Sequence, residues 1–285
     1  MRVPTITPAC EVANLVSSML HQTPAGLFSD FDGTLSPMAS TPDGASIAPG
    51  VREVLRALAS QIELVGIVTG RAVDDARARV DLPDLLYVGN HGLEWAERGK
   101  HIDHPAGVAA AESVTKALQR IFNELDGAIT TAGLIFEDKR LSGSIHYRLC
   151  EDPVEMGLIL GRITERIAES FGLHVASGKM VFELRPSASV SKGTALTEIV
   201  LQRGLRAAVF LGDDVTDVDG FRALREMREE HRLATLAVGV LTPDTAPSVI
   251  EESDVLLDGV DDVVHMLERL SQQLLDSGRT RADGA

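Results

Sequence analysis

Six short apolar runs, each closing on small or polar residues, restrict the folds open to this chain. They are GLFSD (26–30), ELVGIVTG (63–70), LLYVGNHG (85–92), AAVFLGDD (207–214), ATLAVGV (234–240) and SDVLLDG (253–259). Apolar runs of this length without polar alternation read as parallel strands buried on both faces. Parallel neighbours need crossover connections, and helix-like stretches supply them at 49–60, 73–80, 193–203, 218–231 and 261–274. Strand alternating with helix implies an α/β fold with a mostly parallel sheet.

The pattern breaks between about residues 104 and 186. A helix over 106–124 precedes two extended runs, AITTAGLIFEDK (128–139) and SGSIHYRLC (142–150). A second helix (153–171) is followed by LHVASG (173–178) and KMVFELRP (179–186). The alternation Ser144, Ile145, His146, Tyr147, Arg148, Leu149 suggests strands with one apolar face. These elements predict an antiparallel sheet backed by two helices, inserted as a second domain over 105–185 into a core of 1–104 and 186–285. Pro105 and Pro186 mark its edges.

Of 285 residues, 44% are apolar, enough for a substantial core, but only 4% are aromatic. Val, Leu, Ile and Ala must therefore do most of the packing. The formal net charge of −15 argues against nucleic acid or an anionic membrane as partner. A small anionic substrate remains compatible, because a metal or a few local cations can reverse the sign inside a cleft. Cys10 and Cys150 lack zinc-type spacing and read as ordinary thiols of a reducing compartment. The start, MRVPTITPACEVANLV, lacks signal-peptide character, and no apolar run reaches the roughly 18 residues of a membrane span. The expected setting is cytoplasmic. Residues 10–21 are either a helix packed on the core or loose, and 271–285 read as a frayed tail.

Three expected strand ends carry reactive groups: Asp30 and Asp32, then Thr69, then Asp213 and Asp214. In open α/β sheets ligands bind beyond the carboxyl ends of the strands, so these residues should converge. Several carboxylates in one small volume repel unless a cation is present, and an oxygen-only set favours a hard ion such as Mg2+. Residues two apart on a strand point the same way, so Asp30 and Asp32 can flank one reacting atom as nucleophile and proton donor. Gly33 allows a tight turn and close backbone approach to an oxyanion; Thr34 and Thr69 offer hydroxyls. Taken alone, DxDG fits a turn or a calcium-type loop. SKG (191–193) before a helix and GDDVTDVDG (212–220) after a strand change that balance.

DFDGTL (30–35), VTGR (68–71), SKG (191–193) and GDDVTD (212–217) resemble the four motifs of the haloacid dehalogenase superfamily of phosphotransferases. The resemblance implies a Rossmann-like parallel-sheet core with helices on both faces, and Mg2+-dependent phosphoryl transfer. It implies that Asp30 attacks phosphorus to form an aspartyl-phosphate. Asp32 then protonates the leaving oxygen and activates water. Thr69 and Lys192 hold phosphate oxygens. Asp30, the Asp32 carbonyl and Asp213 hold the metal, with Asp214 and Asp217 supporting the metal or the lysine. Thr69 stands where many relatives carry Ser, and the hydroxyl is retained.

The inserted segment carries Glu137, Lys139, His146 and Arg148, then Lys179, Glu183 and Arg185. Any one of these fits a solvated strand face; a mixed set of acids and cations also suits sugar hydroxyls. Asn90 and His91, in GNHGLEW (89–95), sit at a core strand end and are assigned to substrate together with Gly33 and Arg71. DFDGTLSP, GNHGLE, ExK followed by HYR, and GKxVxELRP before SKG together resemble trehalose-6-phosphate phosphatases. That resemblance implies an α+β cap domain whose Glu137, Lys139, Arg148 and Glu183 grip the glucose units, with His146 and Lys179 nearby. Relatives often read TDED where this chain has TDVD (216–219), so Val218 replaces an acid. A phosphatase for another sugar phosphate, such as sucrose or glucosylglycerol phosphate, and a catalytically silent phosphosugar-binding protein are the alternative readings.

Overall fold

The computed structural model describes residues 4–126, 131–187, 189–231 and 233–282. The chain forms two compact units, one from Met1–His101 with Val190–Ala285 and the other from Ile102–Ser189.

In chain order the elements of the first unit are α1 (Ala9–Leu20), β1 (Ala25–Ser29), α2 (Val51–Ala59), β2 (Leu64–Val68), α3 (Val73–Val80), β3 (Leu86–Gly89) and β4 (Glu94–Glu97), and β5 (Lys100–Asp103) runs across the boundary in the sequence. The second unit holds α4 (Pro105–Asp126), β6 (Ile135–Asp138), β7 (Gly143–His146), α5 (Pro153–Ser170), β8 (Leu173–Gly178) and β9 (Val181–Pro186). The chain then returns with α6 (Lys192–Gln202), β10 (Ala207–Gly212), α7 (Val218–His231), β11 (Ala234–Val240), α8 (Pro247–Glu252), β12 (Val255–Leu257) and α9 (Gly259–Ala282).

The first sheet runs β12-β11-β10-β1-β2-β3-β4-β5 and is parallel from β12 to β3. Side-chain alternation divides its core into two layers. Leu27, Val209 and Leu211 face α1, α2, α3 and α9, whereas Phe28, Ala208 and Phe210 face α6, α7 and α8. The expected α/β class with helices on both faces is observed. β1 and β10 are neighbours although the chain leaves β1 toward β2 and leaves β10 toward β11. Strand order reverses between them, which opens a crevice at their carboxyl ends.

The second unit is a four-stranded antiparallel sheet, β6-β7-β9-β8, backed by α4 and α5. Val114, Ala117, Leu118, Ile121 and Leu125 repeat at helical spacing along α4 and pack with Ile145, Phe182 and Leu184. Asp152 caps α5 by accepting from Glu155 N at 2.9 Å, with Pro153 at the first helical position.

Four local expectations need correction. The tail expected to fray from Ser271 is helix through Ala282. Leu270 and Ser271 are buried, and Gln273 Nε2 donates to Asn14 Oδ1 on α1 at 2.6 Å, so the polar sequence hides a packed face. The strand expected over 142–150 stops at His146, where Cys150 N turns back to Tyr147 O at 3.2 Å. Strand in the run at 128–139 begins only at Ile135; residues 128–130 lie outside the described ones. The run at 85–92 leaves the strand after Gly89, because Asn90 and His91 adopt left-handed φ of 47° and 56°. The N-terminal alternative resolves as helix α1, with Val12, Ala13, Val16 and Leu20 inward.

Leu270 is fully buried on α9. Leu270→Ala is expected to lower the stability of the first unit by about 2–5 kcal/mol. Denaturant unfolding checks this, and a loss under about 1 kcal/mol would contradict tight packing of α9.

Candidate active site

The crevice between β1 and β10 collects the acidic residues. Asp30 follows β1, and its N–H donates to Leu211 O of β10 at 2.8 Å, so the backbone register brings Asp30 beside the end of β10. Carboxylate oxygens of Asp30, Asp213 and Asp217 lie within 4.8 Å of one another, and all three residues are buried. Gly33 permits this closeness. It has φ +80°, and a Cβ there would stand 2.2 Å from Asp213 Oδ2. Thr34 Oγ1 donates to Asp213 Oδ1 at 3.4 Å.

Lys192 enters from the N-terminus of α6. Ser191 caps that helix: its Oγ accepts from Thr194 N at 3.4 Å and its N–H donates to Thr194 Oγ1 at 2.9 Å. A cation at a helix N-terminus is unfavourable by the helix dipole, so acceptors must compensate. Lys192 Nζ donates to Asp30 Oδ1 at 2.7 Å and to Asp217 Oδ1 at 2.6 Å. Burial opposes the charge on Lys192, but Asp217 and Asp30 outweigh it and hold the ammonium above its usual range. Burial pushes the Asp30 carboxyl well above the usual carboxylate range; Lys192 pulls it down, while Asp217, Asp213 and Asp32 push it further up. Of the three clustered carboxylates, Asp30 and Asp217 meet the one ammonium.

Asp217 spends both oxygens on protein. Oδ1 accepts from Lys192, and Oδ2 accepts from Asp213 N and Asp214 N, each at 3.0 Å. Asp214 enters this network through its backbone N–H. The oxygen-only donors and the excess negative charge fit a hard divalent cation, with Asp30 and Asp213 as its protein carboxylates.

Asp32 lies toward Arg71. The guanidinium holds it in a two-pronged pair, Nε to Oδ2 at 2.6 Å and a terminal nitrogen to Oδ1 at 2.8 Å. Arg71 is fixed from behind by Asp75 at 2.6 Å and by Pro42 O at 3.0 Å. Thr69 follows β2, is 1% exposed, and accepts from Arg71 N at 3.2 Å, which leaves its hydroxyl proton to donate. Asn90 and His91 are also buried, and their N–H groups donate to Arg71 O and Thr69 O at 2.8 and 3.0 Å. Asn90 Nδ2 donates to Glu94 Oε1 at 2.6 Å.

In the second unit, strand register aligns Glu137, Ser144 and Glu183 across β6, β7 and β9, on the face opposite Ile145 and Phe182. Glu183 Oε1 accepts from Lys139 Nζ at 3.1 Å and Ser144 Oγ at 3.3 Å, and Arg185 Nε reaches Oε2 at 3.1 Å. His146 Nε2 meets Glu137 Oε2 at 2.6 Å. Arg148 stands apart and donates to Lys179 O at 3.0 Å.

The trehalose-phosphatase family profile matches residues 28–246, which carry every side chain named in the two clusters. The chain belongs to the trehalose-phosphatase family. It is 30% identical over 292 residues to a trehalose-phosphate phosphatase of Mycobacterium tuberculosis, covering 97% of this chain and 68% of that one. It is 35% identical over 231 residues to an uncharacterised glycosyl hydrolase of the same organism, covering 78% of this chain but only 17% of the relative. In fold it matches the C-terminal domain of a Candida albicans trehalose-6-phosphate phosphatase, with TM-score 0.77, 20% identity, and 94% and 98% of the two chains covered. The resemblance read from the motifs and the fold class are therefore met.

Sequence reasoning passed over Asp75 and Glu94. Asp75 sits among Asp74, Arg77 and Arg79, an ordinary charged helix face, until the structure turns it under Arg71. Glu94 belongs to a hairpin that gave no strand signal: the turn residues Arg98 and Gly99 both have positive φ. Removing the charge of Lys192 tests the cluster. Lys192→Met leaves Asp30 and Asp217 buried without their cation and is expected to cost about 3–5 kcal/mol near neutral pH. The loss should shrink as pH falls and the Asp30 carboxyl, held above its usual range by burial, protonates; denaturant unfolding across pH checks this, and a pH-independent loss would contradict it.

Proposed function

We propose that this protein hydrolyses trehalose 6-phosphate to trehalose and phosphate through an aspartyl-phosphate, with Mg2+ as cofactor. The observation that carries the reading is the buried Asp30 carboxylate, shared with Lys192 and set against Asp213. Lys192 occupies Oδ1 of Asp30 and leaves Oδ2 to attack. As the Asp30 O–P bond forms, the P–O bond to the sugar breaks and the departing oxygen takes a proton from Asp32. For that step Asp32 must carry a proton and loosen its pairing with Arg71. The Asp32 carboxylate then takes a proton from water that attacks phosphorus, and phosphate leaves Asp30. Thr69 and Lys192 supply donors to the phosphoryl oxygens throughout. Asp30, the Asp32 carbonyl and Asp213 would hold the cation, which would supply charge neutralisation at those oxygens.

The substrate assignment rests on the family and on the polar face of the second unit. Glu183 is held ready as an acceptor by Lys139, Ser144 and Arg185, and Glu137 by His146. Fixed carboxylates beside cations suit the alternating donors and acceptors of sugar hydroxyls. A small sugar phosphate, and neither nucleic acid nor membrane, is the partner in this reading. Among the described residues no helix is long and apolar enough to cross a membrane.

Phosphate release from trehalose 6-phosphate should require Mg2+ and stop with a chelator. Asp30→Asn should fold normally and lose about 10³-fold or more in kcat; substantial steady-state turnover by this variant removes Asp30 from the nucleophile role. Glu183→Ala should lower kcat/KM for trehalose 6-phosphate by about 10–100-fold. It should spare 4-nitrophenyl phosphate, and equal losses on both would sink the sugar-reading role. A higher kcat/KM on another sugar phosphate would reassign the substrate.

A further inference from the structure

Glu94 is a buried carboxylate, 3% exposed, to which the proposed reaction gives no task. It lies on β4, the antiparallel neighbour of β3, and its oxygens accept from three separate segments. Val73 N, the first residue of α3, donates to Oε1 at 2.9 Å, and Asn90 Nδ2 donates to the same atom at 2.6 Å. His101 Nε2 meets Oε2 at 3.1 Å. No side chain caps α3 from within its own turn, so Glu94 does so from another strand.

These contacts converge on the Thr69–Val73 turn. Asn90 N and His91 N hold its carbonyls at Arg71 and Thr69. The His91 ring lies against Gly70 so closely that a Cβ there would stand 2.5 Å from Nε2. Two successive non-glycine residues, Asn90 and His91, are kept in the left-handed region. Such backbone persists only where the surroundings over-determine it. The Asn90–Glu94 bond is the side-chain contact that closes this loop onto the start of α3.

We infer that Glu94 is a positioning residue: acting through Asn90 and the N-terminus of α3, its buried carboxylate fixes where Thr69 Oγ1 and the Arg71 guanidinium stand. It therefore acts on phosphate binding and on Asp32 while touching neither. A group that fixes a donor in place is needed because a misplacement of about 1 Å can cost roughly 100-fold in rate. The inference rests on the reading of Thr69 as a phosphate donor.

The test compares Glu94→Ala, Glu94→Gln and Asn90→Gly with the wild type, using inorganic phosphate in the presence of Mg2+ as the binding probe and 4-nitrophenyl phosphate as substrate. Thr235→Val, which loses a buried hydrogen bond to Leu224 O, is the matched stability control. Glu94→Ala should bind phosphate about tenfold more weakly or worse and lose about 100-fold in kcat/KM. Glu94→Gln keeps an oxygen for Val73 N and Asn90 Nδ2 and should stay within about fivefold of wild type. Asn90→Gly tolerates the left-handed backbone, loses the side-chain bond to Glu94, and should fall between them; it decides the matter if Glu94→Ala does not fold. Thr235→Val should melt lower yet bind phosphate normally. Wild-type phosphate affinity in folded Glu94→Ala, or in Asn90→Gly, overturns the inference. So does an equal loss of affinity in Thr235→Val. Phosphate binding without turnover in the wild type would defeat the phosphatase reading alone, and the affinity ratios would still decide the role of Glu94. No phosphate binding by the wild type overturns both.

Discussion

One buried ammonium makes the acidic crevice tenable. β1 and β10 lie side by side at the point where strand order reverses, so Asp30 and Asp213 are forced together by backbone pairing. Burial, and repulsion from the neighbouring carboxylates, hold the Asp30 carboxyl above its usual range. Lys192 offsets part of it by joining Asp30 to Asp217. Asp217 in turn holds the backbone N–H groups of Asp213 and Asp214. Asp30, Lys192 and the loop of Asp213, Asp214 and Asp217 thus form one connected unit. Its remaining negative charge suits a divalent cation, which would offset the repulsion an anionic phosphoryl group meets there.

Around that unit, each layer of structure solves a positioning problem by ordinary means. The period-two alternation of β1 and β10 puts apolar residues into both helix layers and frees only the strand ends for chemistry. Arg71, braced by Asp75 and Pro42 O, fixes Asp32; the Asn90–Glu94 contact fixes the turn that carries Arg71. In the second unit the same alternation works the other way. One sheet face packs on α4 and α5, and the other carries Glu137, Ser144 and Glu183 in register.

Much of this was legible in the sequence because strand ends in an α/β sheet place chemistry by rule. The apolar runs located β1, β2, β3, β10, β11 and β12, and their polar ends named Asp30, Thr69 and Asp213. What escaped depends on tertiary context. The β4–β5 hairpin turns on Arg98 in a left-handed conformation, for which arginine gives no signal. The polar composition beyond Ser271 concealed the α9 face packed on α1. Within GDDVTD, composition could not say that Asp217 would be buried beneath Lys192 while Asp214 contributed its N–H. Arg71 carries a guanidinium suited to phosphate, yet four of its hydrogen bonds go to Asp32, Asp75 and Pro42.

In the proposed reaction the Asp30 carboxylate becomes transiently phosphorylated. Acid quenching during turnover of trehalose 6-phosphate with Mg2+, borohydride reduction and peptide mass spectrometry test it directly. An acyl phosphate at this position is reduced to the alcohol, so Asp30 should be recovered in part as homoserine only when substrate and Mg2+ are both present. Recovery of Asp30 unchanged under active turnover, with the modification at another carboxylate, would contradict the account.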